Sequence, residues 1–296
     1  MTEVLYFGPR GVREAIEVMG KWKGRARLIA GGTNLIPDMR SGKVEPEAIV
    51  DLSGLDGDLR IMGEEDGRVR IGALVTISEI ASSGFIRLVS PILSSAARRL
   101  GNPLTRNRAT IGGNLADASP AADTAPPLLA LGASVRTEGG RSKGREIPLD
   151  RFFLGPRKTA LDEDELITEI SFPKPEDPGR GSFIKLGLRN AMAISVASVA
   201  VMMEMDGNVC RRARVALGAV APTPIRASRV EELLSGKKVD TEVINRCSEL
   251  AKEEISPISD IRASARYREM VVSVLIKRAI EQALLQGGRG DENLSD

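Results

Sequence analysis

The chain has 296 residues, 42% hydrophobic and 28% charged, with a net charge of +2; this suits two or three globular domains and gives no case for a nucleic-acid or membrane-surface partner. Histidine is absent and only two cysteines occur, Cys210 and Cys247, which removes imidazole bases, Ser-His-Asp and HExxH chemistry, and any iron–sulfur cluster held by this chain alone. Reactive chemistry is therefore expected from a bound cofactor, with no catalytic side chain and no metal ligand of the protein's own.

Residues 12–19 repeat apolar positions at helical spacing, and residues 27–30 read as a short buried strand. That strand runs into Gly31-Gly32, after which Thr33 or Asn34 is the expected N-cap of a short helix reaching Arg40. Residues 48–52 read as a second strand. Residues 59–63 and 68–73 flank Asp66-Gly67, a hairpin signal, and Thr76-Ile77-Ser78-Glu79 is a capping box opening a short helix. Residues 85–100 are expected to form one helix stopping at Gly101, followed by a basic extended run over 105–109 and a second pair, Gly112-Gly113. A short helix over 126–131, ending at Gly132, precedes a strand at 133–137.

Residues 173–181, Pro-Lys-Pro-Glu-Asp-Pro-Gly-Arg-Gly, are the best linker candidate. Beyond them, residues 193–205 and 210–220 flank Asp206-Gly207-Asn208 as a second hairpin. Helices are expected over 227–234, 241–254 and 264–286, the last with Val271, Val274, Leu275 and Arg278 on one spacing. The N-terminal segment lacks the apolar core of a signal peptide, and the longest apolar run, 191–203, is too short to span a bilayer. The expected location is the cytoplasm.

Each glycine pair is expected to close a short apolar strand and to bring free backbone N–H groups against a pyrophosphate. A single pair is more often only a tight turn. Two pairs, both followed by Asn and a Leu, favour one dinucleotide clamped from two sides. Neither loop is GxGxxG or GxxxxGK[ST], so the usual nicotinamide and ATP sites are not supported. Asp123, in Ser119-Pro120-Ala121-Ala122-Asp123-Thr124, reads first as an N-cap or first-turn acid. Its other reading is an acceptor for a ligand hydroxyl or ring N–H. Lys185 by itself is an ordinary strand-face lysine.

At these residues the sequence resembles the FAD-binding medium subunits of molybdenum hydroxylases, the family of carbon monoxide, xanthine, aldehyde and nicotinate dehydrogenases. The resemblance spans nearly the whole chain. It rests on Ala30-Gly31-Gly32-Thr33-Asn34-Leu35, on Arg106-Asn107-Arg108-Ala109-Thr110-Ile111-Gly112-Gly113-Asn114-Leu115-Ala116 and on Ser119-Pro120-Ala121-Ala122-Asp123. Further on it takes in Gly218-Ala219-Val220-Ala221-Pro222-Thr223-Pro224-Ile225-Arg226-Ala227 and Ser264-Ala265-Arg266-Tyr267-Arg268.

The resemblance implies an α+β fold. A small α/β domain (residues 1–55) and a β-rich domain (56–175) would hold FAD between them, followed by a domain (178–290) with a three-stranded antiparallel sheet and a helical bundle. It places the first phosphate-binding segment on Leu28, Ile29, Ala30, Gly31, Gly32, Thr33, Asn34 and Leu35, and the second on Thr110, Ile111, Gly112, Gly113 and Asn114. It assigns the flavin-side acid to Asp123 and flavin-edge positions to Ile167 and Lys185, the lysine favouring the anionic reduced flavin. One departure is Ala193, where many relatives carry an Asp.

The implied function is electron transfer within a complex. A molybdopterin-binding large subunit and a two-cluster iron–sulfur small subunit would feed electrons to FAD, which passes them to an external acceptor. Neither nucleic acid nor membrane insertion is involved. Two alternatives stand beside this: a free-standing FAD-dependent oxidoreductase of the same fold group, and a cofactor-free scaffold subunit joining partner chains.

Overall fold

The computed structural model describes residues 4–140 and 143–287, so positions 1–3 and 288–290 of the expected first and third domains lie outside the described residues. The chain opens with β1 (Leu5–Phe7), α1 (Val12–Trp22), β2 (Ala26–Ile29), α2 (Leu35–Arg40) and β3 (Ala48–Asp51). The strands form a parallel sheet in the order β1-β3-β2. Ala15 and Met19, four apart on α1, pack against Ala26, Ala48 and Val50 of the sheet in a first apolar core.

A second region begins with the hairpin β4 (Met62–Glu65) and β5 (Arg68–Gly72). Its turn is the expected Asp66-Gly67, both with positive φ, the conformation that a two-residue hairpin loop demands. Leu59, expected in the strand, lies instead in a 3-10 turn over Gly57–Arg60. Helix α3 (Ile77–Ser82) starts at Thr76 with the expected reciprocal capping box.

The single helix expected over 85–100 is two, α4 (Gly84–Val89) and α5 (Pro91–Arg99). Pro91 lacks an N–H and disfavours helical backbone at Ser90, so the chain breaks there and restarts with proline in the first turn. The run expected to be extended over 105–109 starts instead inside one helical turn, α6 (Pro103–Arg106), because Asn102 caps it by accepting from Thr105 N–H at 2.7 Å. Then come α7 (Ile111–Ala116), α8 (Ala125–Ala130), β6 (Ser134–Gly139), β7 (Arg145–Pro148), the small hairpin β8 (Phe153–Gly155) and β9 (Lys158–Thr159), and β10 (Glu165–Pro173).

Strand β10 is central in the sheet β4-β5-β10-β6-β7 and is buried from Glu165 to Phe172. Leu166 joins the first core, whereas Ile167, Ile170 and Phe172 join the second. A bulge between Ile167 and Glu169 interrupts the pairing with β6 and resets the alternation. One strand thereby faces two cores.

The last region contains β11 (Gly181–Leu186), β12 (Ala197–Asp206), β13 (Val209–Gly218), β14 (Ile225–Arg226), α9 (Ser228–Leu234), β15 (Lys237–Lys238), α10 (Thr241–Leu250) and α11 (Ala265–Gly287). Three long antiparallel strands are present as expected, and the two-residue strands β14 and β15 extend the sheet along β13. Strand β12 starts at Ala197 rather than 193, because residues 187–196 form a loop closed by Val196 N–H donating to Leu186 O at 2.8 Å.

The expected apolar stripe of α11 is corrected by about one position. Val272, Leu275, Ile276, Ala279, Ile280 and Ala283 are buried, while Val274 is 47% exposed. Ser182 Oγ donates to Ala279 O at 2.7 Å, which fixes that face against β11. Burying each Ile or Leu contributes roughly 1.5–3 kcal/mol, so the helix turns to the face with more of them. The α+β class is the one found.

Candidate functional site

Strand β2 runs directly into the first glycine pair. Gly32 has φ +69°, a backbone that a Cβ makes costly. Gly31 approaches the other loop so closely that a Cβ there would lie 1.8 Å from the Arg108 carbonyl oxygen. The second pair closes no strand, contrary to expectation: it occupies the first turn of α7, whose N-cap is Thr110. A Cβ on Gly112 would lie 2.7 Å from Ala73 Cβ, and one on Gly113 would meet only Thr110 Oγ1, at 2.9 Å. The two segments border a cleft of about 600 Å³, ample for a small-molecule ligand.

The two loops differ in the hydrogen bonds they leave open. The N–H groups of Gly32, Thr33, Asn34 and Leu35 reach no acceptor among the described residues. In the second loop every amide from Ile111 to Asn114 is taken. Ile111 donates to Val75 O (3.0 Å), Gly112 to Ala73 O (2.9 Å) and Asn114 to Thr110 O (2.9 Å). Gly113 donates to Thr110 Oγ1 (3.1 Å).

Free amides on both sides were expected; α7 and its cap absorb those of the second. That loop offers side-chain donors instead. The Thr110 hydroxyl accepts from Gly113 and keeps its own proton to give. Asn114 Oδ1 accepts from Thr124 Oγ1 at 2.6 Å, leaving the amide NH2 as donor.

Leu28, Ile29, Ala30, Gly31, Gly32, Thr33, Asn34, Leu35, Thr110, Gly112, Gly113, Asn114 and Ile167 all line this cleft. Ile111 does not; it is fully buried in the core. Asp123 and Lys185 are also outside the lining, and the fold brings them to each other. Lys185 Nζ lies 2.5 Å from Asp123 Oδ2 and 3.0 Å from Arg99 O, and Ser195 Oγ donates to Asp123 Oδ1 at 2.7 Å. Both side chains of the ion pair are at most 7% exposed.

Burial pushes the Asp123 carboxyl above the ordinary Asp value, opposed by the Lys185 ammonium and the Ser195 hydroxyl. The first-turn reading of Asp123 fails, since Thr124 occupies the N-cap of α8 and Asp123 points to the third region. Asn34 does stand at the N-cap of α2, but its side chain makes no cap bond and instead lies beside Asp117, favouring the charged carboxylate against the burial that raises its pKa.

The structure adds residues that the sequence reading missed. Asp38 and Asp117, one following each glycine pair, line the cleft together with Arg157 from the β8–β9 turn. Glu165 lines it too, with its side chain fully enclosed. Burial alone would raise the Glu165 pKa, yet bonds from Arg145 and Thr137 hold it below the ordinary Glu value. Arg157 and Asp38 are 119 residues apart, and no local motif signals such a pair. Among the described residues no cluster of His, Cys, Asp and Glu could hold a metal ion, and no helix is long and apolar enough to cross a membrane. Burial pushes the thiols of Cys210 and Cys247 up to about 11 and about 12, which leaves them unreactive.

The cleft fits a dinucleotide such as FAD on its own terms. It combines a close backbone approach, four open amides on one side, hydroxyl and amide donors on the other, and sufficient volume.

Comparison with known proteins gives the class. Residues 2–175 match the FAD binding domain in molybdopterin dehydrogenase, and residues 182–283 match the CO dehydrogenase flavoprotein C-terminal domain. The carbon monoxide dehydrogenase medium chain of Hydrogenophaga pseudoflava is 33% identical over 94% of this chain and 96% of its own. The nicotine 6-hydroxylase medium subunit of Paenarthrobacter nicotinovorans is 32% identical over 96% and 98%. Among solved structures, the Hydrogenophaga carbon monoxide dehydrogenase lacking the Mo-pyranopterin moiety matches with a TM-score of 0.93 at 32% identity, covering 96% of this chain and 98% of that one.

The fold and cleft are those of a flavoprotein oxidoreductase subunit. The chain belongs to the FAD-binding medium subunits of the molybdenum hydroxylases.

Proposed function

We propose that this protein holds FAD with its pyrophosphate between the two glycine loops and its flavin toward the Asp123–Lys185–Ser195 cluster. In this reading it carries electrons from an iron–sulfur subunit to an external acceptor. The meeting of both loops on one cleft supports this most strongly. Open amides of Gly32 to Leu35 would bind phosphate oxygens, and Thr110 and Asn114 would donate from the facing wall. FAD supplies the redox chemistry when bound.

Lys185 is held in place by Asp123 and the Arg99 carbonyl, so its charge is fixed rather than free to swing. A positive charge there would favour an anionic reduced cofactor. The binding unit comprises residues 1–55 and 56–175, with 178–290 bringing Lys185 and Ser195 to the second of these. The relatives are named as medium chains, which supports assembly with a molybdopterin-binding large subunit and a two-cluster iron–sulfur small subunit in the cytoplasm.

Purification tests this. The expected result is a yellow chain with one FAD, and, from the native host, co-purifying molybdenum and iron. A colourless chain that takes up no FAD would contradict the reading; FAD without molybdenum or iron would favour a free-standing flavoenzyme.

A further inference from the structure

The cleft assigned above to a pyrophosphate is lined by more carboxylates than cations: Asp38, Asp117, Asp162, Glu163 and Glu165 against Arg27 and Arg157. Arg145 neutralises Glu165 from outside the lining, with N–O distances of 2.8–2.9 Å. Arg27 commits its Nη1 to the carbonyls of Gly24 and Ala26, at 2.6 and 3.1 Å. Asp38 and Asp117 therefore share one guanidinium. Arg157 Nη1 lies 2.6 Å from Asp38 Oδ2 and 3.3 Å from Asp117 Oδ1. Lys43 lies farther from Asp38, at 3.9 Å, and is 73% exposed.

The two carboxylate side chains are only 12% and 14% exposed. Without Arg157 they would face each other and a pyrophosphate in a site that water screens poorly, where like charges repel strongly.

Arg157 belongs to neither glycine loop. It sits at the β8–β9 turn with φ +57°, and its N–H donates to Ala118 O at 3.0 Å; Ala118, just after α7, also has a left-handed φ of +47°. Two such residues held face to face store backbone strain, which accumulates at ligand clamps. Thr159, on the same hairpin, also lines the cleft. The hairpin thus bridges α2 and the end of α7, the elements that follow the two loops.

We infer that Arg157 is a positioning and retention residue for the dinucleotide: it ties the two phosphate loops together and supplies the charge that lets a pyrophosphate sit beside Asp38 and Asp117. The inference rests on the pyrophosphate placement proposed above.

The test uses the 296-residue chain loaded with FAD, with Arg157→Met and Arg157→Lys as variants. FAD release is followed by the recovery of free-flavin fluorescence, and thermal unfolding is recorded with and without FAD. Arg157→Met is expected to release FAD roughly tenfold faster, since it loses a charge-assisted contact, and Arg157→Lys to fall between. Wild-type release is expected to accelerate between about 20 mM and about 0.5 M salt, because the half-exposed guanidinium is screened, whereas Arg157→Met loses that acceleration, salt there screening only the repulsion between carboxylates and pyrophosphate. The FAD-free Tm of Arg157→Met should fall less than that of the loaded form, because only the loaded form sets a pyrophosphate beside the two carboxylates left without their shared cation.

Release at the wild-type rate, or a fall in FAD-free Tm as large as that of the loaded form, overturns the role of Arg157. Gly113→Val separates the two levels. If it abolishes FAD retention while Arg157→Met changes nothing, the pyrophosphate placement stands and Arg157 has no such role. If Gly113→Val also retains FAD, the placement falls, and the role with it.

Discussion

The two glycine loops read alike and are built differently. Gly31-Gly32 ends a parallel strand, bends through a left-handed residue and leaves four amides open. Gly112-Gly113 starts a helix, keeps ordinary helical backbone and has its amides engaged by Ala73 and Thr110. The first pair needs glycine for conformation and for contact with its partner loop. The second pair answers to closeness alone: Gly112 packs on Ala73, just beyond β5, and Gly113 lines the cleft. Identical dipeptides thus present unlike walls to one cleft, one with open backbone donors and the other with side-chain donors beside a bare backbone.

Substitutions at the four glycines separate these roles. The largest effect is expected for Gly31→Ala, whose Cβ would meet Arg108 O at 1.8 Å and force the loops apart. Denaturant unfolding should show a loss on the order of 3 kcal/mol, together with lost FAD retention. Gly112→Ala meets Ala73 Cβ at 2.7 Å and Ala73 O at 2.8 Å, both rigidly held; roughly 2 kcal/mol is expected in the same experiment. Gly32→Ala has only the ends of Ile29 and Ile36 near its Cβ, at 3.1 and 3.2 Å, so the cost is chiefly its φ of +69°. About 1 kcal/mol should be lost there. A Gly32→Ala loss exceeding that of Gly31→Ala would break the distinction between the loops.

A smaller effect sharpens the contrast at the cleft wall. Glu165 titrates below its ordinary value of 4.5 because Arg145 and Thr137 bind its charged form. Its contribution is complete above that value and lost as pH falls through the depressed folded pKa. The Tm should therefore hold down to about pH 5 and fall below about pH 4, and Glu165→Gln should lower Tm at neutral pH while flattening the acid limb. An acid limb as steep in Glu165→Gln as in wild type would show that Glu165 does not set it.

Much of the fold was legible locally. The Asp66-Gly67 turn, the Thr76–Glu79 capping box and the β12–β13 hairpin each follow from residues within a few positions. The break at Ser90-Pro91 was also written locally, in the proline, but continuous apolar spacing masked it. The stripe of α11 was missed by one residue, because several neighbouring faces are apolar and only the sheet decides between them. Within the site, both loops and Ile167 could be located, while their hydrogen-bond states could not. The Gly112 amide is taken by Ala73, which lies far back in the chain, and that of Gly113 by the cap residue Thr110 once α7 has formed. The Asp123–Lys185 pair and the Asp38–Arg157–Asp117 group arise only from tertiary approach, 62 and 119 residues apart.

With one dinucleotide between the loops, as proposed, Gly113 is bare because the ligand passes over it. FAD titration of Gly113→Val, alongside its thermal unfolding without FAD, tests this most directly. Its Cβ meets only Thr110 Oγ1, and losing a glycine from the first turn of α7 offsets part of that contact. Expected are a FAD-free Tm within about 3 °C of wild type and no detectable FAD binding, where wild type binds one equivalent. A folded Gly113→Val chain that binds one FAD with wild-type affinity would contradict it.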